Sequence, residues 1–207
     1  MPSHRKPWPM KWIVIAILVI IVPYTYLTLH YRKPGPAFRP YEDTKKRAIN
    51  GRLLSAGYQR VTLEARRPSD SASGEAMARG ASAATILFVP GGVAADLKDA
   101  LIDSPILPLT IDRVVAAGSA RAGQAYVIQF TCSLPDTKAQ LTDAHLYRKD
   151  DDFILVPTFE KLAGGLQART TESTVVLTLP PSVIQPGSYN VVLAGSRSSR
   201  KWTLQVH

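Results

Sequence analysis

Three residues in one alternating stretch of the chain have the side chains of proton-transfer chemistry: Asp143, His145 and Tyr147. A carboxylate that orients an imidazole beside a phenol is material for general acid–base hydrolysis. The same alternation places Thr142, Ala144 and Leu146 on the other face, so Asp143, His145 and Tyr147 are expected to face solvent, as polar residues on a half-buried strand ordinarily do. A Ser/His/Asp arrangement has only His145 to draw on, because His4 and His207 are terminal and His30 lies at the edge of an apolar segment. No serine stands in a Gly-x-Ser-x-Gly turn. No catalytic residue is expected.

Cys132 is the only cysteine, which excludes an internal disulfide. It shares a strand face with Ile128 and Phe130 and reads as a small buried hydrophobe, not a reactive thiol. Zinc needs three or four converging ligands, and no Cys/His pair has ligand spacing. Asp150-Asp151-Asp152, with Asp143, could attract calcium, but the spacing is not that of an EF-hand and a solvated hairpin tip is the simpler reading. Pro90-Gly91-Gly92 stands ahead of a short helix as a phosphate-cradling turn would, yet no Lys-Ser or Lys-Thr follows, so a tight turn is expected. Neither a metal nor a cofactor is expected.

The charge is uneven. The 207 residues carry 25 Lys and Arg against 16 Asp and Glu, a net +9. Residues 1–30 hold +3, residues 31–80 hold +6, and residues 81–207 balance at zero. A neutral C-terminal part without a basic, aromatic-studded face argues against nucleic acid as a partner.

The location is read from residues 12–31, which contain no formal charge between Lys11 and Arg32. At ~1.5 Å per helical residue such a helix is ~30 Å long, the depth of a bilayer's hydrocarbon core. Trp12 stands at one end, and Tyr24, Tyr26 and Tyr31 at the other, the pattern of aromatic rings at two headgroup layers. Pro23 is tolerable in a membrane helix and damaging in a soluble one. Arg5, Lys6 and Lys11 would also suit a signal peptide, but Pro23 to Leu29 offers no small-x-small cleavage pattern. A single-pass, uncleaved anchor is expected. The flanking cations are fewer before it (Arg5, Lys6, Lys11) than after it (Arg32, Lys33, Arg39, Lys45 to Arg47), which by count favours a cytoplasmic C-terminal side. A short tail ahead of a first helix commonly stays inside, however, and sandwich domains on a single anchor commonly face out, so the tail (1–11) is expected inside and the C-terminal domain extracytoplasmic.

Residues 32–57 read as a Pro-rich stalk followed by a basic helix, Thr44 to Ala56, with Gly57 placed as its left-handed terminator. Ile49, Leu53 and Leu54 would pack this helix on the domain. Arg32, Lys33, Lys45, Lys46 and Arg47 are candidate contacts to anionic lipid headgroups, each contributing about 1 kcal/mol near the surface. Residues 58–84 comprise a half-buried strand, Tyr58 to Arg66, and a loop rich in Ser, Ala and Gly.

From residue 85 to 207 the chain alternates short apolar runs with turn residues, interrupted by a short helix around Leu97, Ala100 and Leu101. Tyr126, Ile128, Phe130 and Cys132 share one face, and so do Trp202, Leu204 and Val206. About seven such runs indicate a mainly β fold and an antiparallel sandwich. The stretch Leu179-Pro180-Pro181-Ser182-Val183-Ile184-Gln185-Pro186-Gly187-Ser188-Tyr189-Asn190-Val191 resembles the penultimate corner of immunoglobulin-like and fibronectin-like modules. The resemblance implies an Ig-like β-sandwich over 85–207, and no activity.

The function expected from these readings is non-enzymatic: a membrane-anchored module that holds another envelope or membrane protein through a sheet face or edge. The alternatives are an extracytoplasmic ligand- or glycan-binding or hydrolytic domain using Tyr147, His145 and the acidic turn at Asp151, and a transmembrane regulator.

Overall fold

The computed structural model describes residues 9–31, 40–68, 83–162 and 170–207; much of the expected stalk and of the Ser/Ala/Gly-rich loop lies outside them. The chain divides into two compact units, Met1–Thr44 and Lys45–His207.

In the first unit, α1 (Met10–Tyr31) runs unbroken through Pro23. Its Met10–Thr28 stretch has a mean hydropathy of 2.0, with none of it buried, so one N-terminal helix is long and apolar enough to span a membrane. The second helix, α2 (Pro40–Ser55), starts earlier than the expected Thr44.

Among the described residues strands outnumber helices, which makes the fold mainly β. The strands are β1 (Gln59–Arg66), β2 (Leu87–Pro90), β3 (Thr110–Ala116), β4 (Ser119–Ala120), β5 (Tyr126–Ser133), β6 (Ala139–Lys149), β7 (Asp152–Lys161), β8 (Glu172–Leu179), β9 (Gly187–Leu193) and β10 (Ser198–Val206), with α3 (Ala95–Ala100) between β2 and β3. They follow one path, β2-β10-β9-β7-β6-β1-β8-β5-β3, with β4 added to β10. The sheet is a curled half-barrel.

The curl is made by β1. Its first part, Gln59 to Leu63, pairs antiparallel with β6, and its last part, Glu64 to Arg66, pairs antiparallel with β8. Val61, Leu63 and Ala65 alternate inward as expected, with Leu63 only 4% exposed. The same side of β5 buries Tyr126, Ile128, Phe130 and Cys132, and that of β10 buries Trp202, Leu204 and Val206, all in one core. Near the open side the Trp202 indole donates to the Tyr126 hydroxyl at 3.2 Å, and that hydroxyl donates to the Ala117 carbonyl at 2.6 Å. One buried chain of hydrogen bonds thus ties β10 to β5 and to the β3–β4 connection.

The expected antiparallel Ig-like sandwich is not what the strand pairing gives. At the corner, Tyr189 donates its hydroxyl to the Gln185 carbonyl four residues back at 3.1 Å and stacks on Phe153 at 4.3 Å. The strand path around that corner is not the expected purely antiparallel one. The pairs β7–β9 and β4–β10 are parallel, and β1 joins what would otherwise be separate layers. One further expectation needs correction. Leu54 is 68% exposed and does not pack; Leu53, at 1%, anchors that helix end. The Tyr58–Arg66 strand lies between β6 and β8.

If β1 unites the sheet, Leu63→Ala will cost about 3 kcal/mol through the cavity it leaves. Leu54→Ala will stay within about 0.5 kcal/mol. Guanidinium unfolding of the nanodisc-held chain, followed by far-UV circular dichroism, measures both; equal effects would refute the central role of β1.

Candidate functional site

The outward face of β6 is buried, and this corrects the expectation that His145 and Tyr147 face solvent. His145 is 9% exposed and Tyr147 3%; only Asp143 is open to water. The reason is a second apolar cluster outside the sheet, in which Leu53 and Tyr58 meet Leu97 and Ala100 of α3 over Tyr147 and Val156. The signal was present in β7, where Phe153-Ile154-Leu155-Val156 is an unbroken apolar run, the mark of a strand covered on both faces.

Polar contacts pin this cover to the sheet. Tyr58 donates to Asp96 Oδ2 at 2.8 Å, Lys149 Nζ lies 2.9 Å from the same oxygen, and Asp96 Oδ1 accepts the Leu97 N–H at 2.9 Å. The Lys149 hydrogen bond, then that of Tyr58, holds the Asp96 carboxyl below the usual range. Gly57 at φ +82° ends the helix and turns the chain into β1, as its position predicted.

Where this cover stops, a cleft of about 310 Å³ opens. Its lining includes Arg60, His145, Tyr147 and Thr158 from the sheet, Ile49 from α2, and Ile102 and Ile106 from the segment after α3. Lys45 pairs with Asp103 beside it. Arg60 Nη2 lies 2.7 Å from His145 Nε2. A guanidinium can only donate, so Nε2 is the acceptor and the imidazole proton sits on Nδ1. That Nδ1 is buried and has no partner among the described residues. Burial first, and Arg60 second, pushes the His145 pKa down to about 4, with Asp143 opposing. Burial also raises the Tyr147 hydroxyl. A neutral imidazole beside a guanidinium can donate a hydrogen bond but is a poor proton shuttle near neutral pH.

The other singled-out residues do not converge on this cleft. Trp12, Tyr24, Tyr26 and Tyr31 are exposed on α1, with Pro23 inside the helix, and Arg32 and Lys33 lie outside the described residues. Lys46 and Arg47 are exposed on α2. Cys132 is buried, its thiol pushed up to about 12 by desolvation. Asp150 and Asp151 form the tip of the β6–β7 hairpin, with Asp150 at φ +52°, and Asp152 accepts from Asn190 at 3.1 Å. Among the described residues no group of His, Cys, Asp and Glu could hold a metal ion.

A second feature, at the sheet's end, escaped sequence reasoning. The terminal strand β2 leaves Leu87 56% and Phe88 75% exposed. The Arg200 guanidinium lies 3.2 Å from the Phe88 ring centroid and is itself 4% exposed. It gives one hydrogen bond, to the Asp112 carbonyl at 3.0 Å, while Nη1 has no partner among the described residues. Nothing in a four-residue apolar run signals this.

No family model, curated protein or solved structure matches the chain.

His145 supplies a pH test. Its folded pKa of about 4 lies below the unfolded value, so protons favour the unfolded chain. Stability should fall as pH drops from about 6.5 to about 4, by roughly 2–3 kcal/mol, and His145→Gln should flatten that part of the profile. Denaturant midpoints at closely spaced pH values check this; an unchanged slope in the variant would contradict it.

Proposed function

We propose that this protein is a single-pass, membrane-anchored envelope protein whose β unit, extracytoplasmic and non-enzymatic, captures an extended segment of another envelope or membrane protein. The observation that carries this reading is the outer edge of β2. It is the last strand of the path, its other edge has no strand partner among the described residues, and it displays Leu87 and Phe88. An open, apolar edge is a template for strand addition, in which main-chain hydrogen bonds supply affinity and side-chain pockets supply selectivity. Soluble folds ordinarily blunt such an edge with charge or proline; here Pro90 closes only its end.

The anchor supports the location, by length and hydropathy. Lys46 and Arg47, exposed on α2, support contact with anionic headgroups by that basic helix, together with Arg32, Lys33 and Lys45. The immunoglobulin-like character belongs to this reading too, through the Tyr189 corner and the switch by which β3 pairs with β5 while β4 pairs with β10.

A photocrosslinking residue replacing Phe88, in intact membranes, should yield one or two discrete adducts that are absent when the probe replaces the exposed Glu160 on β7. Adducts of the same pattern and intensity at both positions, or none at Phe88, would refute capture by the β2 edge.

A further inference from the structure

The cleft over His145 goes beyond that reading, because its unsatisfied groups all have one sign of chemistry. Arg60 is exposed and forms no ion pair among the described residues. His145 Nδ1–H has no acceptor, and the Tyr147 hydroxyl has no hydrogen-bond partner among the described residues. The one carboxylate lining the cleft, Asp103, is engaged by Lys45. The polar lining of the cleft therefore offers a cation and donors, while Asp143, open to water outside that lining, acts on His145 only from a distance.

Its other side is apolar. Ile49 lines it, and Ile102 and Ile106 remain 40% and 41% exposed on the rim. The cleft holds about 310 Å³. This is the lower end of the size range of small-molecule sites.

We propose that the cleft binds a small monocarboxylate with an apolar body. The carboxylate sits against Arg60 and takes the free donors of His145 and Tyr147, while the body lies on Ile49, Ile102 and Ile106. A cationic ligand would meet Arg60 with like charge, and a neutral one would forgo the pairing that a fixed guanidinium provides. The methyl groups of Ile102 and Ile106, which line the cleft, report binding.

The test uses the full chain in zwitterionic lipid nanodiscs, with isoleucine δ1-methyl spectra recorded during titration with benzoate, benzamide or benzylamine. Benzoate should shift the Ile102 and Ile106 methyls saturably, benzamide should bind at least about fivefold more weakly, and benzylamine should leave the rim unchanged. Arg60→Met, at an exposed position, should keep the other methyl signals in place and weaken benzoate at least about tenfold. The proposal is overturned if rim shifts fail to saturate at about 10 mM benzoate, if the three probes or the two proteins bind alike, or if only the isoleucines of α1 respond.

Discussion

The structure depends on one strand serving two neighbours in succession. Because the side chains of a strand alternate, β1 can keep Val61, Leu63 and Ala65 on the core side only if its register with β6 passes to β8 without a slip. The change of partner at Leu63 and Glu64 bends the sheet around the core that Trp202, Phe130, Phe153 and Phe159 fill. The same strand presents Arg60 at the cleft and, through Tyr58 and Gly57, receives the chain from α2. Fold, cover and cleft therefore share one element.

How much of this could be read in the residues follows from the range of the interactions. The alternation that puts Tyr126, Ile128, Phe130 and Cys132 on one face and Trp202, Leu204 and Val206 on another, the glycine after the basic helix and the buried state of Cys132 are local consequences of period and backbone freedom, and the structure agrees with them. Burial of His145 and Tyr147 left only the apolar run of β7 as a local trace; what covers them is not local, because Leu53 and Leu97, distant in sequence, arrive over β6. Leu54 shows the converse. It belongs to the apolar set of its helix but lies on the side turned to water. The parallel pairing of β7 with β9 is also non-local, and it takes the strand path away from the antiparallel sandwich that turn spacing alone indicates.

Burying His145 has an electrostatic consequence. An imidazole that remains neutral, with its acceptor nitrogen held by Arg60, is a fixed donor in place of a titrating shuttle. That arrangement suits hydrogen-bond recognition better than proton transfer by this imidazole. Arg200 follows similar logic at the sheet's end: a cation nearly withdrawn from water is covered by the exposed Phe88 ring, so the edge combines apolar surface with a buried positive charge.

The proposal that an apolar N-terminal helix holds the β unit outside the cytoplasm, within reach of envelope partners, is tested by topology, with a reporter active only outside the cytoplasm and a cytoplasm-only reporter fused in parallel after His207. The first should be active and the second silent. Activity from the cytoplasmic reporter alone would contradict it, placing the basic flank of the helix inside and the partners among cytoplasmic proteins.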